Sequence, residues 1–293
     1  MLNVLITGIE GFTGRYLAQT LRLSGYNVKG LTRQSTLNGF CGDLLEYDSL
    51  INVLAQFQPD IVIHLAAISF VAHSNVDAIY RTNVEGTQNL LKALVVSGSK
   101  PQAVLLASSA TVYGNVDSSS IDESVQPSPV NDYGRSKLAM EEMAKTWSEQ
   151  LPIIITRPFN YTGPGQSLNF LLPKIVDHYT RRAPVIELGN LDVIRDFSDV
   201  RTVVKSYQLL IEAKPCGETF NICSGQGHSL HEVLNMMKDL TGHELKVQVN
   251  PAYVRKHEVR QLVGSQEKLN ATIGAISRVS LVDTLKWMLQ EVT

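Results

Sequence analysis

Two side chains in Asn131-Asp-Tyr-Gly-Arg-Ser-Lys137 could share one chemical task. Tyr133 and Lys137 are four residues apart, so on a helix they stand one turn apart on one face. An ammonium held beside a phenol favours the phenolate and lowers the tyrosine pKa. A tyrosine tuned in this way passes a proton to or from an alcohol or sugar oxygen. Asp132 reads as the N-cap and Ser136 to Glu149 as the helix body, which contains few breakers. Tyr and Lys also meet at this spacing on surface helices that do no chemistry, so the elements around them have to decide.

The first of these elements opens the chain. Leu2-Asn-Val-Leu-Ile6 is a short apolar run that reads as a buried parallel strand. Thr7-Gly8-Ile-Glu-Gly11-Phe12-Thr13-Gly14 follows, a strand, a glycine turn and a helix start. Gly8, Gly11 and Gly14 suit a tight turn, close approach of backbone to a pyrophosphate, and helix packed on strand. The helix N-terminus adds free N–H groups and partial positive charge for phosphates. The spacing is G-x-x-G-x-x-G, and its place in a strand-turn-helix unit is what gives it meaning. Asn27 to Arg33 reads as the second strand. A site specific for NAD places Asp or Glu at its end to hold the ribose 2′-OH. Thr32 and Arg33 stand there instead, and a guanidinium pairs with a 2′-phosphate. The expectation is NADP, with NAD as the alternative if Arg33 is only a surface charge.

Cys41-Gly-Asp43-Leu44 reads as the end of a third strand, with Asp43 placed to meet an adenine amino group. Ile51 to Phe57 is a helix, and Asp60 to Ala67 a fourth strand ending in Leu65, Ala66 and Ala67, small enough at its end for a cofactor to lie close. His64 has apolar neighbours and reads as a satisfied core histidine. Asn83 to Ser97 is a helix, and Ala103 to Ala107 a fifth strand that delivers Ser108-Ser109-Ala-Thr-Val-Tyr113-Gly114. Strands alternating with helices at this spacing predict an α/β fold, a doubly wound parallel sheet. Ligands bind beyond the carboxyl ends of such strands, and Ser109 and Tyr133 both fall at that edge.

Leu151 to Thr156 reads as the sixth strand, and Gly163-Pro-Gly165 turns the chain away. Phe170 to Arg181 reads as helix. Val185 to Gly189, then Val193 to Asp199, read as strand, turn and the approach to a helix over 200–213 capped by Asp199. Thr219 to Cys223 is a short strand. Ser229-Leu-His-Glu232 is a capping box for a helix that Gly242 stops. His228 and His231 lack a third ligand at metal spacing and read as local hydrogen-bonding groups, so no metal is expected.

Composition narrows the class. The 293 residues are 44% hydrophobic and 18% charged, ordinary for a globular protein. The net charge of −2 offers no electrostatic case for nucleic acid or an anionic membrane. No apolar run reaches the length of a spanning helix, and Met1 to Leu5 leads straight into a strand, so no signal peptide is expected. Cys41, Cys216 and Cys223 are odd in number and have no metal spacing, which predicts reduced thiols and a cytoplasmic location.

Taken together, Gly8/Gly11/Gly14, Leu65-Ala-Ala67, Asn83, Ser108 to Gly114 and Tyr133-x-x-x-Lys137 resemble the extended short-chain dehydrogenase/reductase superfamily. The nearest branch holds nucleotide-sugar epimerases, dehydratases and ketoreductases. The resemblance implies that Ser109 polarises the sugar oxygen, Tyr133 is the acid/base and Lys137 holds the nicotinamide ribose. It also implies that Phe12, Thr13 and Asn83 join the cofactor site, with Pro158 and Phe159 backing the nicotinamide. Ser108, Tyr113, Asn160 and Asn169 would line the substrate. The segments 163–168, 189–200 and 254–265 are similar to the GDP-6-deoxy-D-mannose reductase family. That similarity implies Arg195 and Arg255 on the diphosphate and Glu258 on the nucleotide ribose; Lys256-His257 depart from the Pro-Ser common there. It implies NADP-dependent reduction of a GDP-linked 4-keto-6-deoxy sugar by a homodimer whose helices 83–97 and 136–149 pair across a two-fold axis. The expected division is a dinucleotide-binding Rossmann domain, 1–160 with returning segments near 193–223, and a smaller C-terminal nucleotide-sugar-binding subdomain, 161–192 and 224–293. Two rivals stay open: a 4-epimerase built from the same residues, and a non-catalytic nucleotide-sugar or redox sensor.

Overall fold

A computed structural model describes residues 1–34, 39–69, 75–253 and 259–291. The strands are β1 (Asn3–Thr7), β2 (Asn27–Thr32), β3 (Gly39–Cys41), β4 (Ile61–His64), β5 (Ala103–Ala107), β6 (Ile153–Pro158), β7 (Asn160–Thr162), β8 (Val185–Leu188), β9 (Ile194–Asp199), β10 (Thr219–Ile222), β11 (Gly227–Ser229), β12 (Lys246–Val249) and β13 (Gln261–Leu262). The helices are α1 (Phe12–Leu23), α2 (Tyr47–Phe57), α3 (Val76–Tyr80), α4 (Gly86–Val96), α5 (Asp132–Lys145), α6 (Leu171–Thr180), α7 (Val200–Ala213), α8 (Leu230–Thr241), α9 (Glu267–Ile273) and α10 (Leu281–Glu291).

Seven strands form one parallel sheet in the order β10-β6-β5-β4-β1-β2-β3. The order reverses between β1 and β4, where a doubly wound sheet opens a crevice for a ligand. β4 and β6 are buried along their whole length, because helices cover both faces. The pattern Gly14, Leu17, Ala18, Leu21 puts one stripe of α1 on the sheet. It joins α7 through Val200, Val203, Val204 and Tyr207 in the core of one face. α2, α4 and α5 cover the other face with Leu50, Leu54, Leu90, Leu94 and Met140. A third core links α6, α8 and α10 to β8 and β9. A second, smaller sheet runs β11-β9-β13 with β7 on β9, and β12 pairs with β8. Of the returning stretch 193–223, α7 and β10 join the seven-stranded layer, whereas β9 belongs to the second sheet. No helix among the described residues is long and apolar enough to cross a membrane.

Three local expectations change. The cap of α5 is Asn131, whose side chain accepts from the Gly134 N–H, not Asp132. The helix therefore starts early enough to hold Tyr133 in its first turn, and it ends at Lys145. The single helix expected over 83–97 starts within a π-turn at Arg81–Glu85, which continues α3, and goes on as α4. A π-turn widens the helix by one residue, which propensity does not reveal. Residues 194–199 form a strand, because Gly227 to Ser229 and Gln261 to Leu262 flank them as partners from distant sequence.

Candidate active site

The sheet edge is built from its glycine turn outward. Gly8 has φ +74°, and a Cβ there would stand 2.8 Å from the Ala66 nitrogen. A Cβ on Gly14 would overlap the Gly8 carbonyl oxygen. Both positions therefore require glycine. Gly11 closes the turn by donating to the Gly8 carbonyl at 3.0 Å and caps α1 with no side chain. The first N–H groups of α1 so face the switch point of the sheet, a setting suited to a phosphate. Phe12 stacks on Tyr161 with ring centroids 6.1 Å apart, and Thr13 Oγ1 lies 2.7 Å from the Tyr161 hydroxyl. Tyr161, on β7, had no expected role; it locks the helix start to the second sheet.

Around this turn the other expected cofactor residues divide. Thr32 is buried, and its hydroxyl donates to the Gln34 carbonyl at 2.6 Å. Arg33 is exposed at the end of β2, with no side-chain partner among the described residues. Asp43 is half-buried, and one carboxylate oxygen accepts from the Leu45 N–H at 2.9 Å. Leu44 is buried, and its carbonyl accepts from Asn89 at 3.0 Å. Leu65, Ala66 and Ala67 are half-buried beside Gly8, with the Leu65 and Ala66 N–H groups bonded to Thr7. Asn83 offers no ligand surface: it is 1% exposed, and its amide bonds Ile68 N at 2.9 Å, Ile68 O at 3.2 Å and Ser136 Oγ at 3.0 Å. It braces the loop after β4 against α5. Pro158 and Phe159 are buried at the end of β6, with Phe159 packed against Gly264 and 6.3 Å from the Tyr113 ring.

Ser109 and Tyr133 do converge. Ser109 Oγ accepts from the Thr111 N–H at 3.2 Å and from Thr111 Oγ1 at 2.9 Å. Its own proton is then left for the Tyr133 hydroxyl, with which Ser109 hydrogen-bonds. Tyr133 is 8% exposed, and burial pushes its phenol well above the ordinary tyrosine range, opposed by hydrogen bonding with Ser109. This corrects the expectation that Lys137 lowers the phenol pKa. Lys137 Nζ instead donates to the Ala107 carbonyl at 2.7 Å, at the end of β5. Burial lowers the Lys137 pKa to about 8, against the attraction of Glu141. His64 is the satisfied core histidine foreseen, between Thr7 Oγ1 at 2.7 Å and Thr87 Oγ1 at 2.9 Å.

The expected substrate residues scatter more widely. Ser108 is 3% exposed, and its hydroxyl has no partner within the described residues, a buried polar atom that a ligand could satisfy. Tyr113 is fully buried, and its hydroxyl donates to Asn221 Oδ1 at 2.7 Å. That corrects its expected place in a substrate lining, because the core takes both its ring and its hydroxyl. Burial pushes this phenol up to about 12. Asn160 and Asn169 are exposed. Arg195 is half-buried, donating to the Ile194 carbonyl at 2.9 Å and the Arg260 carbonyl at 3.3 Å. Arg255 and Glu258 lie outside the described residues. His228 Nδ1 is 3.9 Å from Glu232, within the α8 cap.

Sequence reasoning missed four polar groups. Thr111 orients Ser109, as above. Glu141 and Arg157 form a buried fork, with bonds of 3.0 and 2.6 Å. Asp196, fully buried on β9, accepts from Ser224 N at 2.7 Å, Ser224 Oγ at 2.6 Å, Gly225 N at 2.8 Å and Gly264 N at 3.4 Å, so it ties three segments together. Glu141 had a signal, since it lies four residues beyond Lys137; Asp196 had none.

Residues 5–288 match the family described as GDP-mannose 4,6 dehydratase. A GDP-6-deoxy-D-talose 4-dehydrogenase from Aggregatibacter actinomycetemcomitans is 35% identical over 93% of this chain and 92% of its own. A GDP-6-deoxy-D-mannose reductase from Pseudomonas aeruginosa is 33% identical over 99% and 96%. Among solved structures, a provisionally named epimerase from Burkholderia cenocepacia J2315 has TM-score 0.93 and 46% identity over 100% and 99%. The structure of RMD from P. aeruginosa complexed with NADPH has TM-score 0.89 and 31% identity over 99% and 98%. MoeE5 in complex with UDP-glucuronic acid and NAD has TM-score 0.89 and 30% identity over 99% and 98%.

Proposed function

The chain belongs to the GDP-mannose 4,6 dehydratase family of the short-chain dehydrogenase/reductase fold, and on that premise we propose that it is an NADP-dependent nucleotide-sugar 4-ketoreductase. The substrate best supported is GDP-4-dehydro-6-deoxy-D-mannose, reduced to GDP-D-rhamnose. The observation that carries this reading is a buried Tyr133 beside Ser109, with Thr111 rather than a carboxylate next to it. Bound NADPH supplies a hydride to the keto carbon. Ser109, its lone pairs taken by Thr111, donates to the keto oxygen. Tyr133 holds the proton that the nascent alkoxide requires and releases it there. Burial that disfavours the phenolate suits reduction, which begins with the proton on the tyrosine.

The glycine turn and the uncapped start of α1 suit the pyrophosphate, and Arg33 suits a 2′-phosphate. NADP is therefore favoured over NAD, and the relative solved with NADPH supports the choice. Ser108, Asn160, Asn169 and Arg195, with Arg255 and Glu258, remain the proposed substrate contacts. A cytoplasmic homodimer is part of the same reading.

Dehydration, despite the family's description, is disfavoured on chemistry. Removing the C5 proton of a sugar needs a base beside the hydroxyl residue, and Ala110 and Thr111 occupy those positions. Two nearby carboxylates are already committed, Glu123 to the Asn221 N–H and Glu141 to Arg157. A 4-epimerase is the second reading, and the 46% identical neighbour favours it.

The test is turnover of NADPH with GDP- and dTDP-linked 4-keto-6-deoxy sugars. Stoichiometric NADPH loss with the GDP sugar is expected. Tyr133→Phe should slow it roughly 10²- to 10⁴-fold while the cofactor still binds. Protein that carries tightly held NAD and epimerises a nucleotide sugar without consuming cofactor would overturn the reading.

A further inference from the structure

We propose that Glu141 and Arg157 are positioning residues for Lys137: a carboxylate one helical turn below the ammonium, clamped by a guanidinium from β6, keeps Lys137 charged and aimed at the end of β5. The inference rests on the reading of Lys137 as the cofactor-holding residue, and it adds what keeps that residue in its working state.

The geometry begins on one stripe of α5. Tyr133, Lys137 and Glu141 recur every fourth residue and are all buried. The Glu141 side chain is 0% exposed and the Arg157 side chain 6%. Arg157 donates from Nε at 3.0 Å and from Nη2 at 2.6 Å, so both carboxylate oxygens are engaged and the group cannot turn away. The clamp is itself fixed. The Arg157 guanidinium sits 4.8 Å from the centroid of the Tyr113 ring, and the Tyr113 hydroxyl is held by Asn221 on β10. Asn221 in turn donates to the Ile121 carbonyl at 2.9 Å and takes Glu123 on its backbone N–H at 2.7 Å.

A buried ion pair gives little net stability over apolar packing of the same volume. Its location is therefore the informative feature. Lys137 lies in a dry environment, and among the described residues the charged and titratable groups about it come from β4, α5 and, through the Glu141 carboxylate that Arg157 clamps, β6. From β4 comes His64, neutral between its two threonines. From α5 come Tyr133 one turn above, its phenol protonated, and Glu141 one turn below. Among the described residues Glu141 is the carboxylate one turn from the ammonium on this buried stripe, and its attraction opposes the burial that lowers the Lys137 pKa. Without a negative charge there, desolvation acts on Lys137 unopposed.

The experiment follows the Lys137 charge directly. The full chain is labelled with [ε-13C]lysine, the Lys137 signal is identified by its loss in Lys137→Arg, and its titration is read by NMR. Wild type is compared with Glu141→Gln, Glu141→Asp and the double variant Glu141→Leu/Arg157→Met. The double variant replaces the pair with apolar groups of similar size, so it keeps a folded comparison if Glu141→Gln leaves Arg157 stranded. The Lys137 midpoint should fall by roughly one to three pH units in Glu141→Gln and in the double variant, and stay near wild type in Glu141→Asp. The alkaline limb of the kcat profile should move down with it. A midpoint that does not move in a folded variant overturns the proposal. A midpoint that falls while the limb stays put supports the positioning role and overturns the assignment of Lys137 to the reaction, so the two failures are distinguishable.

Discussion

His64 should make the fold sensitive to acid, by an amount the structure allows to be worked out. Thr87 gives its hydroxyl proton to the Asn83 carbonyl at 2.8 Å, so it can only accept from His64 Nε2. Thr7 Oγ1 already accepts from the Ala66 N–H, leaving its proton for His64 Nδ1. The ring is thus the neutral tautomer with hydrogen on Nε2, and a second ring proton would face a donor. Burial is the main cause, with repulsion from Lys137 second, of a pKa lowered from 6.5 to about 3. The folded pKa is depressed, so the stabilisation is complete above pH 6.5 and is lost as pH falls toward 3. Between pH 7 and pH 5 the unfolded histidine takes up its proton and the folded one does not, a loss of about 2 kcal/mol. Urea unfolding at the two pH values measures it, in wild type and in His64→Gln. The variant can still bond both threonines but cannot titrate. Its loss on acidification should be smaller than that of wild type by about 2 kcal/mol. The same loss in both proteins would refute the argument. The effect matters to the site because Thr7 connects His64 to Ala66, against which Gly8 packs.

Two further outcomes follow from the proposed reading. Arg33→Ala should weaken NADPH binding roughly 10- to 100-fold, the worth of a charged hydrogen bond, and leave NADH nearly unchanged; equal losses for both cofactors, by isothermal titration, would remove Arg33 from the 2′-phosphate. Light scattering at micromolar concentration should give about twice the 32.3 kDa chain mass, because the π-turn leaves Val84 half-buried, α4 leaves Val96 exposed and Val95 half-buried, and α5 leaves Leu138 and Met143 half-buried; a mass of one chain would count against the dimer.

Much of this architecture was legible because it is written locally. The run into Gly8, Gly11 and Gly14 encodes β1, the turn and the start of α1 within one short stretch of neighbouring residues. Ala103 to Ala107 matches β5 residue for residue, and the capping box at Ser229 is formed as its spacing implies. Asp199 caps α7 as expected. What was not legible depends on partners far away in sequence. β9 is a strand because β7, β11 and β13 come to it. Tyr113 leaves the expected lining because Asn221, 108 residues on, takes its hydroxyl.

Lys137 is the most instructive case, since its spacing from Tyr133 was read correctly and its effect was not. Helical periodicity fixes which side chains share a stripe, but not which of them meet. In water an ammonium near a phenol would lower the phenol pKa, and the sequence contains nothing to contradict that. In the folded chain both groups are desolvated, which raises the phenol pKa and lowers that of the ammonium. The lysine settles on the Ala107 carbonyl, a partner that the chain brings to it from the end of β5. The result is a buried tyrosine above a lysine held by a backbone oxygen, with a clamped carboxylate below. Under the proposed ketone reduction this order is a usable one, because burial keeps the proton on Tyr133 until the keto oxygen takes it.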